Sequence, residues 1–146
     1  MLVRELLSKR RGRIITTETA TGIMEAMRLL VYHGITCLPV LNQDGDLTGI
    51  VSDKDIYRTV VENQGDFNRF NVGDIMTVDL IVGLAEDDLE YIAGLMTENR
   101  IRHIPIVEGR RLVGLVSQGD IVKTQVREAQ HEVRYLKQYI EGSYPA

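Results

Sequence analysis

Hydrophobic residues along the chain alternate between two periods. Ile23, Met24, Met27, Leu30 and Val31 recur at helical spacing, and Gly34 follows where a helix would stop. Two short apolar runs then flank a tight turn, CLPVL–NQDGD–LTGIVS (37–52), with Asp44-Gly45 as a hairpin signal. The run from Leu38 to Leu41 has no polar break, which predicts a strand covered on both faces. A further short strand is predicted over RIITT (13–17), and a second helix after Ser52. The order is β-α-β-β-α.

The same order then recurs. The stretch 34–56 (GITCLPVLNQDGDLTGIVSDKDI) matches 100–121 (RIRHIPIVEGRRLVGLVSQGDI). Pro39 aligns with Pro105 and Gly49 with Gly114, and Ser52, Asp55 and Ile56 align with Ser117, Asp120 and Ile121. The turn between is one residue shorter in the second copy. Upstream, the helical patch 23–30 matches 89–96, where Asp87 and Glu90 suit the start of a helix. The strand 13–17 matches DLIVG (79–83), and the lead-in VRELL (3–7) matches VGDIM (72–76). A unit of about 60 residues is marginal alone, so the copies should bury their apolar faces on each other.

The expected fold is α/β (α+β), with two pseudo-twofold related repeats packed together. The first repeat spans 1–62, a linker 63–71, the second repeat 72–124 and a helical tail 125–146. The linker is polar except for Phe67 and Phe70, which should pin it to the body. From Gln118 to about Glu141 nothing breaks a helix. Val122, Val126, Ala129, Val133, Leu136 and Ile140 form an a/d seam along it. Such a helix either folds back over its own domain or pairs with a second subunit, which would make the protein a homodimer.

Composition narrows the function. The chain has 146 residues, 44% hydrophobic and 26% charged, the balance of an ordinary globular domain. Cys37 is the single cysteine, so no internal disulfide forms. No apolar run approaches the roughly 20 residues of a membrane helix, and MLVRELLSKRRGR is too charged for a secretory signal, so a cytoplasmic location is expected. A net charge of −4 makes nucleic acid an unsuitable partner. Two local basic clusters stand against that balance: Lys9, Arg10, Arg11 and Arg13, and then Arg100, Arg102, His103, Arg110 and Arg111. They read either as solvated loops or as the handling of a phosphorylated ligand.

Catalytic signatures are missing. Cys37 sits in an apolar strand, and His33, His103 and His131 are scattered without metal-ligand spacing. No G-x-x-x-x-G-K-[ST] loop occurs. No enzyme activity and no required cofactor are expected. One pattern occurs twice, GIVSDKDI (49–56) and GLVSQGDI (114–121). On one reading Ser and Asp simply form a capping box at a helix start. On the other, the helix N-terminus and the serine attract phosphate, the aspartate accepts the two hydroxyls of a ribose, and glycine clears space beside the ligand.

These paired Gly-h-h-Ser-x-x-Asp segments, in register with Pro39 and Pro105, resemble a tandem CBS-domain pair (Bateman module) from Val3 to about Thr124. The resemblance implies a non-catalytic regulatory sensor that binds AMP, ADP, ATP or a related adenosyl ligand in clefts between its copies and signals to an effector protein that the sequence does not name. It implies ribose-holding roles for Asp55 and Asp120 and phosphate contacts for Ser52 and Ser117. The base slots fall near Ile14, Ile35 and Pro39, and near Leu80, Ile101 and Pro105, with Thr77 a further candidate. Arg102 and His103, which have Thr36 and Cys37 as counterparts, imply unequal sites with the stronger phosphate grip in the second copy. A structural dimerisation module without a ligand is the alternative.

Overall fold

The computed structural model describes residues 1–141. Along the chain run α1 (Val3–Ser8), β1 (Thr17–Glu18), α2 (Ile23–His33), β2 (Cys37–Leu41), β3 (Leu47–Ser52), α3 (Asp53–Glu62), α4 (Val72–Ile75), α5 (Leu89–Asn99), β4 (His103–Glu108), β5 (Arg111–Ser117) and α6 (Gln118–Ile140). This is the mixed α+β fold with two repeats that the pattern predicts. The β2–β3 and β4–β5 hairpins are antiparallel and in matching register, Pro39 facing Ile50 and Pro105 facing Leu115. From Cys37 to Val40 every residue of β2 is buried, as an unbroken apolar run requires. Gly34 closes α2 in the left-handed conformation at φ 62°, where glycine carries no Cβ penalty. Helix α2 buries Ile23, Ala26 and Leu30, while Met24 and Val31 of the predicted apolar set face outward.

The first strand of each repeat is far shorter than expected. Of 13–17 only Thr17 enters a strand, paired in parallel with Val40. Of 79–83 only Gly83 pairs, through a single bridge to Ile106. The apolar residues before them leave the sheet edge and line clefts instead, so they have no ladder partner.

The lead-in segments exchange partners. Val3 of α1 has no exposed surface and packs with Leu89, Ile92, Ile104 and Val116 of the second repeat. Val72 of α4 is equally buried among Ile23, Leu38, Val51 and Ile56 of the first. Backbone bonds tie each in place: Val3 N–H donates to the Asp87 carbonyl at 2.9 Å, and Val72 N–H to that of Thr21 at 2.8 Å. Burying each valine contributes about 1.5–3 kcal/mol. The linker follows α3 back over the first core, where Phe67 and Phe70 pack half-buried.

This exchange accounts for the glycine of the repeated motif. A Cβ on Gly114 would lie 2.6 Å from both Leu7 methyls, and one on Gly49 would lie 2.7 Å from Met76 Sδ and 2.8 Å from the Thr77 carbonyl oxygen. Neither glycine lines a cleft. They admit the exchanged segment, so their role is packing and not clearance for a ligand.

Helix α6 does not fold back. It runs through Thr124 without a break, buries only Ile121, and is exposed at every residue from Gln125 to Glu141. Residues 142–146 of the predicted tail lie outside the described residues. No helix among the described residues is long and apolar enough to cross a membrane.

Gly49→Ala and Gly114→Ala should both lower thermal stability, by about 1–3 kcal/mol. Gly49→Ala should cost more, because it meets a backbone carbonyl paired with Ile50, whereas Leu7 can turn aside. Leu7→Ala combined with Gly114→Ala should recover part of the loss in a melting experiment.

Candidate functional site

Each hairpin ends on a serine that starts a helix. Ser52 Oγ accepts from the Asp55 backbone N–H at 3.2 Å, and Ser117 Oγ from that of Asp120 at 3.1 Å. In return the carboxylate Oδ2 of Asp55 accepts from Ser52 N–H at 2.9 Å, and that of Asp120 from Ser117 N–H at 2.7 Å. Both capping boxes are complete. The central strands anchor the same helix starts, since the Thr36 carbonyl accepts from Asp53 N–H and the Arg102 carbonyl from Gln118 N–H.

Capping occupies Oδ2 in both aspartates and leaves Oδ1 out of the cap. Both carboxylates also line a cleft. Asp55 sits with Ser52, Thr77, Leu80, Ile101, Arg102 and Pro105 around a cavity of about 240 Å³. Asp120 sits with Ser117, Ile14, Ile35, Leu115 and the arginines at 10, 11 and 13 around one of about 410 Å³. These volumes fall near the lower end of the roughly 300–1,000 Å³ of small-molecule sites. Capping and an outward-facing role therefore coexist on one side chain.

The clefts are crossed between the repeats. The first repeat supplies Ser52 and Asp55 to walls of the second, and the second supplies Ser117 and Asp120 to walls of the first. Twelve of the thirteen candidates line one cleft or the other. Pro39 does not, being sealed inside the first core.

Crossing also redistributes the charges. Arg102 faces Asp55, so it does not strengthen the cleft of its own repeat; His103 borders both. The Asp55 cleft sets Lys54, Arg100 and Arg102 against Asp53, Asp55 and Asp79. The Asp120 cleft sets three arginines against a single carboxylate. The basic cluster near the N-terminus is visible in the sequence, but its cleft is not, because Arg10 reaches residues more than a hundred positions away. Its guanidinium binds the Leu115 carbonyl and the Asp120 carboxylate. Asp53, Lys54 and Asp79 carry no motif that would single them out.

Titration follows this layout. Burial opposes the charge of Asp120, yet the Ser117 hydrogen bonds and Arg10 outweigh it and hold the carboxyl below its ordinary 3.8. Burial and then Arg102 lower His103 from 6.5, against the pull of Asp120 and Asp53. Burial, aided by Asp53, pushes the Cys37 thiol up to about 12, which leaves it protonated and inert. Arg100 holds the left-handed conformation at φ 54°, at the position where the first repeat has Gly34.

The CBS domain family model matches residues 3–62 and 72–127. The CBS domain-containing protein CBSX3, mitochondrial, of Arabidopsis thaliana is 33% identical over 91% of this chain, which spans 66% of that relative. The L-aspartate semialdehyde sulfurtransferase of Methanocaldococcus jannaschii is 32% identical over 82% of the chain, which spans only 22% of it. Among solved structures, the CBS domain pair of protein MJ0100 in complex with 5′-methylthioadenosine and S-adenosyl-L-methionine superposes with a TM-score of 0.77 at 29% identity, covering 88% of this chain and 98% of that one. CBSX2 in complex with AMP superposes with a TM-score of 0.76 at 28% identity and the same coverage.

Arg100→Gly should stabilise the fold by about 0.5–1 kcal/mol by relieving the left-handed arginine, measurable by denaturant unfolding. The unfolded chain takes up a proton on His103 as pH falls through 6.5, while the folded chain resists it until a lower pH. Stability should therefore decline between pH 7.5 and 5.5, and His103→Gln should flatten that decline in a pH series of melting temperatures.

Proposed function

The chain belongs to the CBS-domain family, and from that premise we propose that it is a non-catalytic sensor of adenosine-containing ligands, held in the two crossed clefts. The observation that carries this reading is the pairing of each Ser–Asp helix start with an apolar wall from the other repeat. A purine enters between Leu80 and Ile101, or between Ile14 and Ile35. The ribose hydroxyls meet Asp55 or Asp120. A phosphate meets the serine at the helix N-terminus, where the helix dipole favours an anion. The family members solved with AMP and with adenosyl ligands support this ligand class.

The two clefts differ in what suits them. Balanced charge around Asp55 favours a weakly charged adenosyl compound. The arginines around Asp120 favour a phosphorylated one, and a ribose that takes Asp120 frees Arg10 to turn toward the phosphate. Because every ligand would touch both repeats, binding shifts how they pack. That change is the signal, passed through a homodimer to a separate effector protein.

AMP, ATP, NAD and S-adenosylmethionine at millimolar concentration should be tested by thermal shift. A ligand present at one hundred times its Kd adds about 2.7 kcal/mol. Asp55→Asn and Asp120→Asn, which keep an acceptor for the cap, should each remove part of the shift while leaving the ligand-free melting temperature within a few degrees. If none of the four ligands moves the melting temperature, the sensor reading fails.

A further inference from the structure

We propose that α6 pairs with α6 of a second copy of this chain as a parallel, in-register, two-stranded coiled coil. The proposal rests on the homodimer part of the reading above and is independent of any ligand. Its starting point is the projecting half of the helix. Val126, Val133 and Ile140 occupy one row of the seam and Val122, Ala129 and Leu136 the other. Val133 is 64% exposed and Ile140 81%, and shallow apolar grooves run beside Val126, Ala129, Val133 and Leu136. The opposite face is polar, with Arg127, Glu128, His131 and Arg134. A helix with this division needs a partner along one stripe only.

Two features select a second copy and its orientation. The a positions are all β-branched and the last d position is leucine, the combination that favours two parallel strands. Flanking charges agree. Glu132 falls at a g position and Lys137 at the following e position. In a parallel, in-register pair the Glu132 of each copy faces the Lys137 of the other, so two complementary pairs form by symmetry. An antiparallel pair would set e against e, bringing Lys123 toward Lys137, a like-charge contact. The occupant that fits both seam and charges is this same segment.

Sedimentation equilibrium and cysteine cross-linking of the full chain test the proposal. The unaltered chain should be a dimer. Val133→Asp should convert it to monomer that still unfolds cooperatively, since that side chain lies outside both cores, and its melting temperature should lose the concentration dependence that a dimer shows. Lys137→Glu should raise the dimer dissociation constant about ten-fold by turning two exposed attractions into repulsions. Adding Glu132→Lys should restore it. Leu136→Cys should form a disulfide between two identical copies in air, because parallel d positions bring like residues within bridging distance; buried Cys37 does not compete. A Leu136→Cys chain that links only to Val126→Cys would establish antiparallel pairing and overturn the proposal. A dimer that survives Val133→Asp would overturn the coil while sparing the homodimer. A monomeric unaltered chain would overturn both.

Discussion

Val3 and Val72 are completely enclosed, each in a core built by the repeat to which it does not belong in chain order. Neither repeat can close its hydrophobic interior with its own residues alone. This constraint turns two marginal units of some 60 residues into a single folding body. It also explains why Gly49 and Gly114 sit at equivalent places in the two hairpins. A side chain there would push away the segment arriving from the other half.

Mutual completion sets the character of the clefts. Because the lead-in segments cross over, the chain that follows them passes over the opposite hairpin and forms the wall beside a foreign helix start. Each cavity is thus lined by both repeats, and sequence divergence between the copies becomes a difference between cavities. The arginines that follow α1 have no equivalent after α4, where the chain reads MTVD (76–79), so only the Asp120 cleft is strongly cationic. His103 stands at the border of both cavities, where burial keeps its imidazole neutral near pH 7. A proton taken up there would be felt on either side.

Much of this was legible in the residues. The repeat, the hairpins, the Gly34 stop, the capping serines and the pinning phenylalanines depend on local pattern, and local pattern survives in a sequence. The first strands are shorter than the apolar pattern predicts because Ile14, Ile15, Leu80 and Ile81 are apolar for another reason: they border cavities. Pro39 and Pro105 align in the sequence but meet different surroundings, the first enclosed in a core and the second on a cleft wall. Arg102 and Arg10 each line a cleft with the helix start of the other repeat. Which half a side chain faces is decided by the crossing, and the crossing leaves no periodicity to read.

Helix α6 begins at the hydrogen bonds that hold Asp120 and continues unbroken for 23 residues. At 1.5 Å of rise per residue it is a rod of about 34 Å. Rotating such a rod by about 5° at Ser117 sweeps its far end through about 3 Å. A sub-ångström adjustment at the fulcrum is thereby magnified at the tip, and the stiffness of an uninterrupted backbone ladder keeps that displacement from dissipating on the way.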